Sequence, residues 1–142
     1  MPRLIAVASL LVLVFTSPAL AQSTATSSPL QGRWVVTTAE HQGKPFDAIK
    51  GGVMTIAGDA FEVRTASGNV LKGTLKLDAS KQPWQMDLLH SDGGRWEAIY
   101  AVEGDSIRLN YVDMEGKEPR PTTFTTSDTT EATVIVLRRQ SK

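Results

Sequence analysis

His41 and His90 are the only histidines in this 142-residue chain, which has no cysteine. The missing thiols exclude disulfides, thiol catalysis and thiolate metal sites. The two histidines lie far apart, without a ligand partner at motif spacing, and neither H-E-x-x-H nor an acidic EF-hand loop occurs. Both read as strand-end residues near solvent. No G-x-S-x-G elbow is present; Gly104-Asp105-Ser106 reads as a hairpin turn. Paired carboxylates would suit hydrolysis, but spacing favours no pair among Glu40, Asp47, Asp87 and Glu97. The sequence therefore assigns no catalytic residue, no metal and no cofactor, and an enzyme is the least supported reading.

Four residues are better suited to holding a ligand than to transforming one. Tyr100 and Tyr111 fall on the apolar faces of adjacent β-type runs. Trp96 shares the Tyr100 face. A tyrosine there presents an apolar body and a polar tip, which serves a core as well as a pocket. Glu40 lies on the alternation of Trp34, Val36 and Thr38, so it is expected near the barrel mouth. A carboxylate there needs a partner, and Lys76 and Arg64 are candidates; the competing reading is a solvated residue past the rim.

These residues require a sheet to position them. From Leu30 onward the chain is a series of short β-type runs. They cover Arg33 to His41, Val53 to Ala57, Ala60 to Ala66, Asn69 to Leu77, Trp84 to His90, Arg95 to Val102, Ser106 to Val112 and Thr133 to Arg139. Thr122 to Thr126 is a candidate short edge strand. Trp96, Ala98, Tyr100 and Val102 alternate with polar neighbours, as do Ile107, Leu109 and Tyr111, which is the pattern of half-buried strands. Gly58-Asp59, Ser67-Gly68-Asn69, Asp92-Gly93-Gly94 and Gly104-Asp105 are hairpin turn chemistry. Such short loops join antiparallel neighbours, whereas parallel strands need long crossovers. One helical turn is expected within Pro45 to Lys50. The expected fold is all-β: a single antiparallel up-and-down β-barrel of about eight strands, closed because closure removes exposed edges.

The chain begins with Arg3, an apolar run from Leu4 to Phe15 and an Ala19-Leu20-Ala21 site. That order reads as a signal peptide over residues 1–21. The run is 12 residues long, short of the roughly 20 that span a membrane. The expected location is therefore periplasmic or extracellular, with no membrane span. Residues 22–29 read as a polar, disordered linker and 30–142 as the barrel domain. Lysine plus arginine and aspartate plus glutamate each number 15 in the whole chain. Loss of Arg3 with the signal leaves the mature charge at −1, which gives no electrostatic case for nucleic acid. No oligomeric state follows from the sequence.

Leu30-Gln31-Gly32-Arg33-Trp34, with Glu40 and Gly43, resembles the opening of an uncharacterised family of small secreted bacterial domains. That family is common in planctomycetes and lipocalin-like. The resemblance continues through Gly58-Asp59-Ala60-Phe61, the stretch from Gly73 to Asp78, Met86-Asp87-Leu88, Ile99-Tyr100, Arg120-Pro121-Thr122 and Val136 to Arg139. It implies a lipocalin-type barrel and no particular activity. Gly32-x-Trp34 also resembles the first-strand signature of lipocalins. There the tryptophan plugs one barrel end and a basic residue of the last strand packs across it, a role open here to Arg138 or Arg139. Guanidinium stacking on an indole supplies the physical reason.

The function these readings favour is binding of a small apolar ligand. The barrel is wide enough to be filled by side chains or to hold one small ligand. The expected inward set of Trp34, Met54, Ile56, Phe61, Val63, Leu75, Met86, Leu88, Trp96, Tyr100, Leu109 and Tyr111 is bulky. The alternative is a ligand-free interaction module of the cell envelope, using the loop from Asp113 to Pro121 with Glu115, Lys117, Glu118 and Arg120.

Overall fold

A computed structural model describes residues 28–141. The signal segment 1–21 and residues 22–27 of the linker lie outside the described residues. After a 3-10 turn at Ser28–Leu30 come β1 (Gly32–His41), a two-residue β2 (Lys44–Pro45), β3 (Val53–Ala57), β4 (Ala60–Arg64) and β5 (Val70–Asp78). β6 (Trp84–His90), β7 (Arg95–Glu103), β8 (Ser106–Asp113) and β9 (Thr133–Arg139) complete the sheet. All neighbours are antiparallel and, apart from β2, which pairs only with β1, they follow chain order; β1 also pairs with β9. The result is a closed eight-stranded up-and-down barrel, with β2 a short appendage of β1.

The expected turn within Pro45 to Lys50 is a 3-10 turn at Asp47–Ile49. Thr122 to Thr126 forms no strand. Instead the segment between β8 and β9 runs along the outer wall. There the Asn110 side chain donates to the carbonyls of Thr123 and Thr125, at 2.7 and 3.3 Å. Arg120 bonds Asp87 Oδ1 at 2.5 Å and donates to the carbonyls of Met86 and Ala98. Glu118 accepts from the Glu131 amide. Side-chain bonds, rather than a ladder, satisfy this stretch of backbone.

The core lies inside the barrel. Trp34, Met54, Ile56, Phe61, Leu75, Met86, Leu88, Ala98, Tyr100, Leu109, Ile135 and Leu137 are all buried. Two glycines let the wall close. Gly32 has φ +119°, and a Cβ there would meet Arg139 Nη1 at 2.9 Å. A Cβ on Gly73 would fall 1.9 Å from Leu89 O and 2.9 Å from the Phe61 ring.

One barrel end is sealed. Trp34 is fully buried, and its indole N–H donates to Leu30 O at 2.8 Å. The Arg139 guanidinium lies 4.3 Å from the indole centroid. It also donates to Gln31 O at 2.6 Å and Pro29 O at 3.0 Å. Arg139, not Arg138, is thus the cation across the plug; Arg138 pairs in register with Val35 and is exposed. Parity decides between them, since adjacent strand residues point to opposite faces.

Replacing Arg139 by methionine removes the cation–π contact with Trp34 and two hydrogen bonds to exposed carbonyls, so it is expected to cost about 1–2 kcal/mol. Arg138→Met should cost less than about 0.5 kcal/mol. Urea unfolding of both variants checks this, and equal costs would contradict the assignment.

Candidate functional site

The opposite end is built differently. A cavity of about 130 Å³ remains in this half of the core. Its walls include Val36, Met54, Val63, Leu71, Leu88, Trp96, Leu109, Tyr111 and Ile135, and Ile49 and Gly52 roof it. The roof is held by backbone bonds from Val36 N to Gly52 O, Gly51 N to Val36 O and Gly52 N to Ile49 O. At about 24 cal/mol per Å³ of core void, such a space forgoes roughly 3 kcal/mol of packing. Leu71 and Trp96 also line an open hollow outside the cavity, so they form the partition between the two.

An aromatic row borders that partition. Trp96 stacks on Tyr111 with centroids 4.7 Å apart and planes at 18°. His90 meets Trp96 edge to face at 4.4 Å and Phe61 at 5.7 Å. Both His90 ring nitrogens are buried without a hydrogen-bond partner. The expectation that His90 stands near solvent is therefore corrected. It follows Met86 and Leu88 at a period of two, and that phase carries its ring inward.

His41 is also more than a strand-end residue. Its Nδ1 lies 2.9 Å from Thr133 Oγ1, and its Nε2 faces Glu131 Oε2 at 3.6 Å. A carboxylate at Nε2 favours the proton there, leaving Nδ1 to accept from the Thr133 hydroxyl. Thr133 is 5% exposed and stands opposite Tyr111 in the β8–β9 register. A polar chain thus runs from Thr133, beside Tyr111 of the cavity wall, through His41 to Glu131 at the surface.

Of the four ligand-facing candidates, Trp96 and Tyr111 line the cavity. Tyr100 is buried in the other half, 5.6 Å from Trp84, and does not reach the cavity. Glu40 follows the solvated reading and not the ligand-anchor one: it is exposed and accepts from the Thr126 hydroxyl. The cause is a β-bulge. Val36 pairs with Leu137 and Thr38 with Val136, so β1 advances two residues against one on β9. Beyond the bulge the phase inverts, and buried Ala39 takes the inward place while Glu40 faces outward. Lys76 and Arg64 are not its partners; Thr126 is.

His41, Thr133 and His90 are the site residues that the sequence reading missed. Inward alternation with Leu88, and with Ile135 and Leu137, was the available signal for His90 and Thr133. His41 falls beyond the bulge and gave none. No group of three histidine or acidic side chains among the described residues is close enough to hold a metal.

No protein-family model and no curated protein sequence matches the chain. Among solved structures, a de novo designed fluorescence-activating β-barrel is similar, with 16% sequence identity and a TM-score of 0.47. The match covers 81% of this chain and 97% of that one.

Burial raises both tyrosines above the ordinary phenol value, with Thr133 opposing the shift at Tyr111 and Asp78 adding to it at Tyr100. The fold therefore favours the protonated phenols. This stability is fully present below about pH 10 and is lost as pH rises through the folded values. Tyr100 and Tyr111 are the only tyrosines, so phenolate absorbance reads them alone. It should appear above pH 10 and coincide with loss of the fold; a normal titration in the folded state would contradict the burial.

Proposed function

We propose that this barrel binds one small apolar ligand in the cavity between Trp96, Tyr111 and Leu88, as an exported, lipocalin-like protein. The observation that carries the binding reading is an apolar void retained in an otherwise filled interior. Side chains could have filled it, and leaving it costs stability. Dry apolar cavities of about 150 Å³ accept benzene or xenon, which sets the scale of the ligand. A long acyl chain exceeds it. The lipocalin-like assignment draws support from Gly32-x-Trp34 with Arg139 stacked across the indole. Export rests on the signal-like residues 1–21.

The interaction-module alternative loses its main support. Arg120 and Glu118, two of the four loop charges offered for it, are turned back onto the barrel and its own backbone.

Benzene and xenon are direct probes. Each should perturb the methyl resonances of Val36, Leu71, Leu88 and Ile135 in NMR spectra, and benzene at about 100 times its Kd should stabilise the fold by about 2.7 kcal/mol. Val63→Phe should fill the void and abolish both effects. Absence of any perturbation by either probe in the wild-type chain would end the proposal.

A further inference from the structure

A ligand held inside the barrel needs a way in, and the closed wall leaves few. A sideways path would break a strand ladder, because every barrel strand is hydrogen-bonded to both of its neighbours. The far end is stopped by Trp34 with Arg139 across it. Two routes remain at the cavity end. One lifts the roof at Ile49 and Gly52. The other passes between Leu71 and Trp96, which stand in the wall of the cavity and also in the wall of the open hollow beside it.

The two routes differ in what has to give way. Lifting the roof breaks the Val36 N to Gly52 O and Gly51 N to Val36 O bonds, both 2.9 Å long. That is a local unfolding event. The roof has little slack, since a Cβ on Gly52 would lie 3.1 Å from Ile49 O and 3.5 Å from Arg64 O. At the partition no backbone bond has to break. Trp96 is held in place there, stacked on Tyr111 at 4.7 Å and met by the His90 edge at 4.4 Å. Leu71 has no ring clamped against it. It is a partly exposed aliphatic side chain opposite Val63 in the β4–β5 register. Such a side chain exchanges between staggered rotamers far faster than a segment unfolds. The hollow gives it room: its volume is about 540 Å³, and Gly93 and Gly94 in its wall carry no side chain.

We infer that Leu71 is the gate of the cavity and Trp96 its fixed post, so that rotation of the Leu71 side chain into the hollow admits and releases the ligand. This rests on the cavity reading above and adds the route and the residue that controls it. A gate stands in the barrier, so its size governs entry as well as exit. A residue that only touches the bound ligand governs exit. Ile49 is the matched comparison, an aliphatic side chain of the same size that lines the same cavity from the roof.

NMR exchange of benzene, followed on the Leu88 and Ile135 methyl groups at several benzene concentrations, gives the entry and exit rates separately. Leu71→Ala should raise the entry rate about tenfold. Ile49→Ala should leave entry within about twofold of wild type while speeding exit through its lost contacts. Leu71→Met keeps the volume but removes the branch. It should speed entry severalfold, and it carries the test if the alanine variant does not fold. An entry rate unchanged by the Leu71 substitutions, or raised as much by Ile49→Ala, would overturn the gate; with benzene still bound, the cavity reading would stand. Absence of benzene binding in the wild-type chain would remove the cavity reading and the gate with it.

Discussion

The pairing of β1 with β9 is the constraint on which the rest of the structure depends. It joins residues a hundred positions apart, from Trp34 against Arg139 to His41 against Thr133. An open sheet would leave two rows of unpaired backbone groups, and closure removes both. The same ladder sets both ends of the barrel. At one end it lays the Arg139 guanidinium over the Trp34 indole. At the other it brings the His41 ring to the Thr133 hydroxyl. The plug and the polar chain are therefore two products of one register.

That register contains one irregularity, and it determines what faces the interior. A strand of constant phase would have carried Thr38 and Glu40 inward after Trp34 and Val36. The bulge between Val36 and Thr38 substitutes Ala39. A carboxylate inside an apolar barrel would need a partner or pay a large desolvation cost. A small methyl group carries no such cost and leaves space. The bulge thus helps keep this half of the interior apolar while the residues around it build the cavity wall.

Most of the fold is legible in the sequence because most of it is local. Turn glycines and period-two alternation mark all eight barrel strands to within a few residues. What escaped depends on contacts distant in sequence. The bulge is visible only against β9, so alternation along β1 left Glu40 open between an inward anchor and a solvated residue. The choice between Arg138 and Arg139 follows from parity at the end of β9, which becomes definite once Trp34 supplies the reference. Thr122 to Thr126 has strand-like composition, yet Asn110 and Arg120 bind that loop to the outer wall through side chains. His90 is a different case. Its inward phase was readable, but a histidine at a strand end more often meets water than two aromatic neighbours.

The two ends of the barrel resolve their polar groups in opposite ways. At the Trp34 end each strong donor has an acceptor: the indole N–H has Leu30 O, and the guanidinium has Gln31 O, Pro29 O and the indole face. That end is saturated and has nothing left to offer a ligand. At the His90 end, two ring nitrogens are buried without partners, and three carboxylates surround a hollow that has no cation in its wall. Unpaired buried polar atoms destabilise the folded state, and the void behind Trp96 adds its own cost. The end that carries a void and an unpartnered imidazole is where the barrel's packing and polar satisfaction are least complete, and the proposed binding of a small apolar ligand accounts for the void.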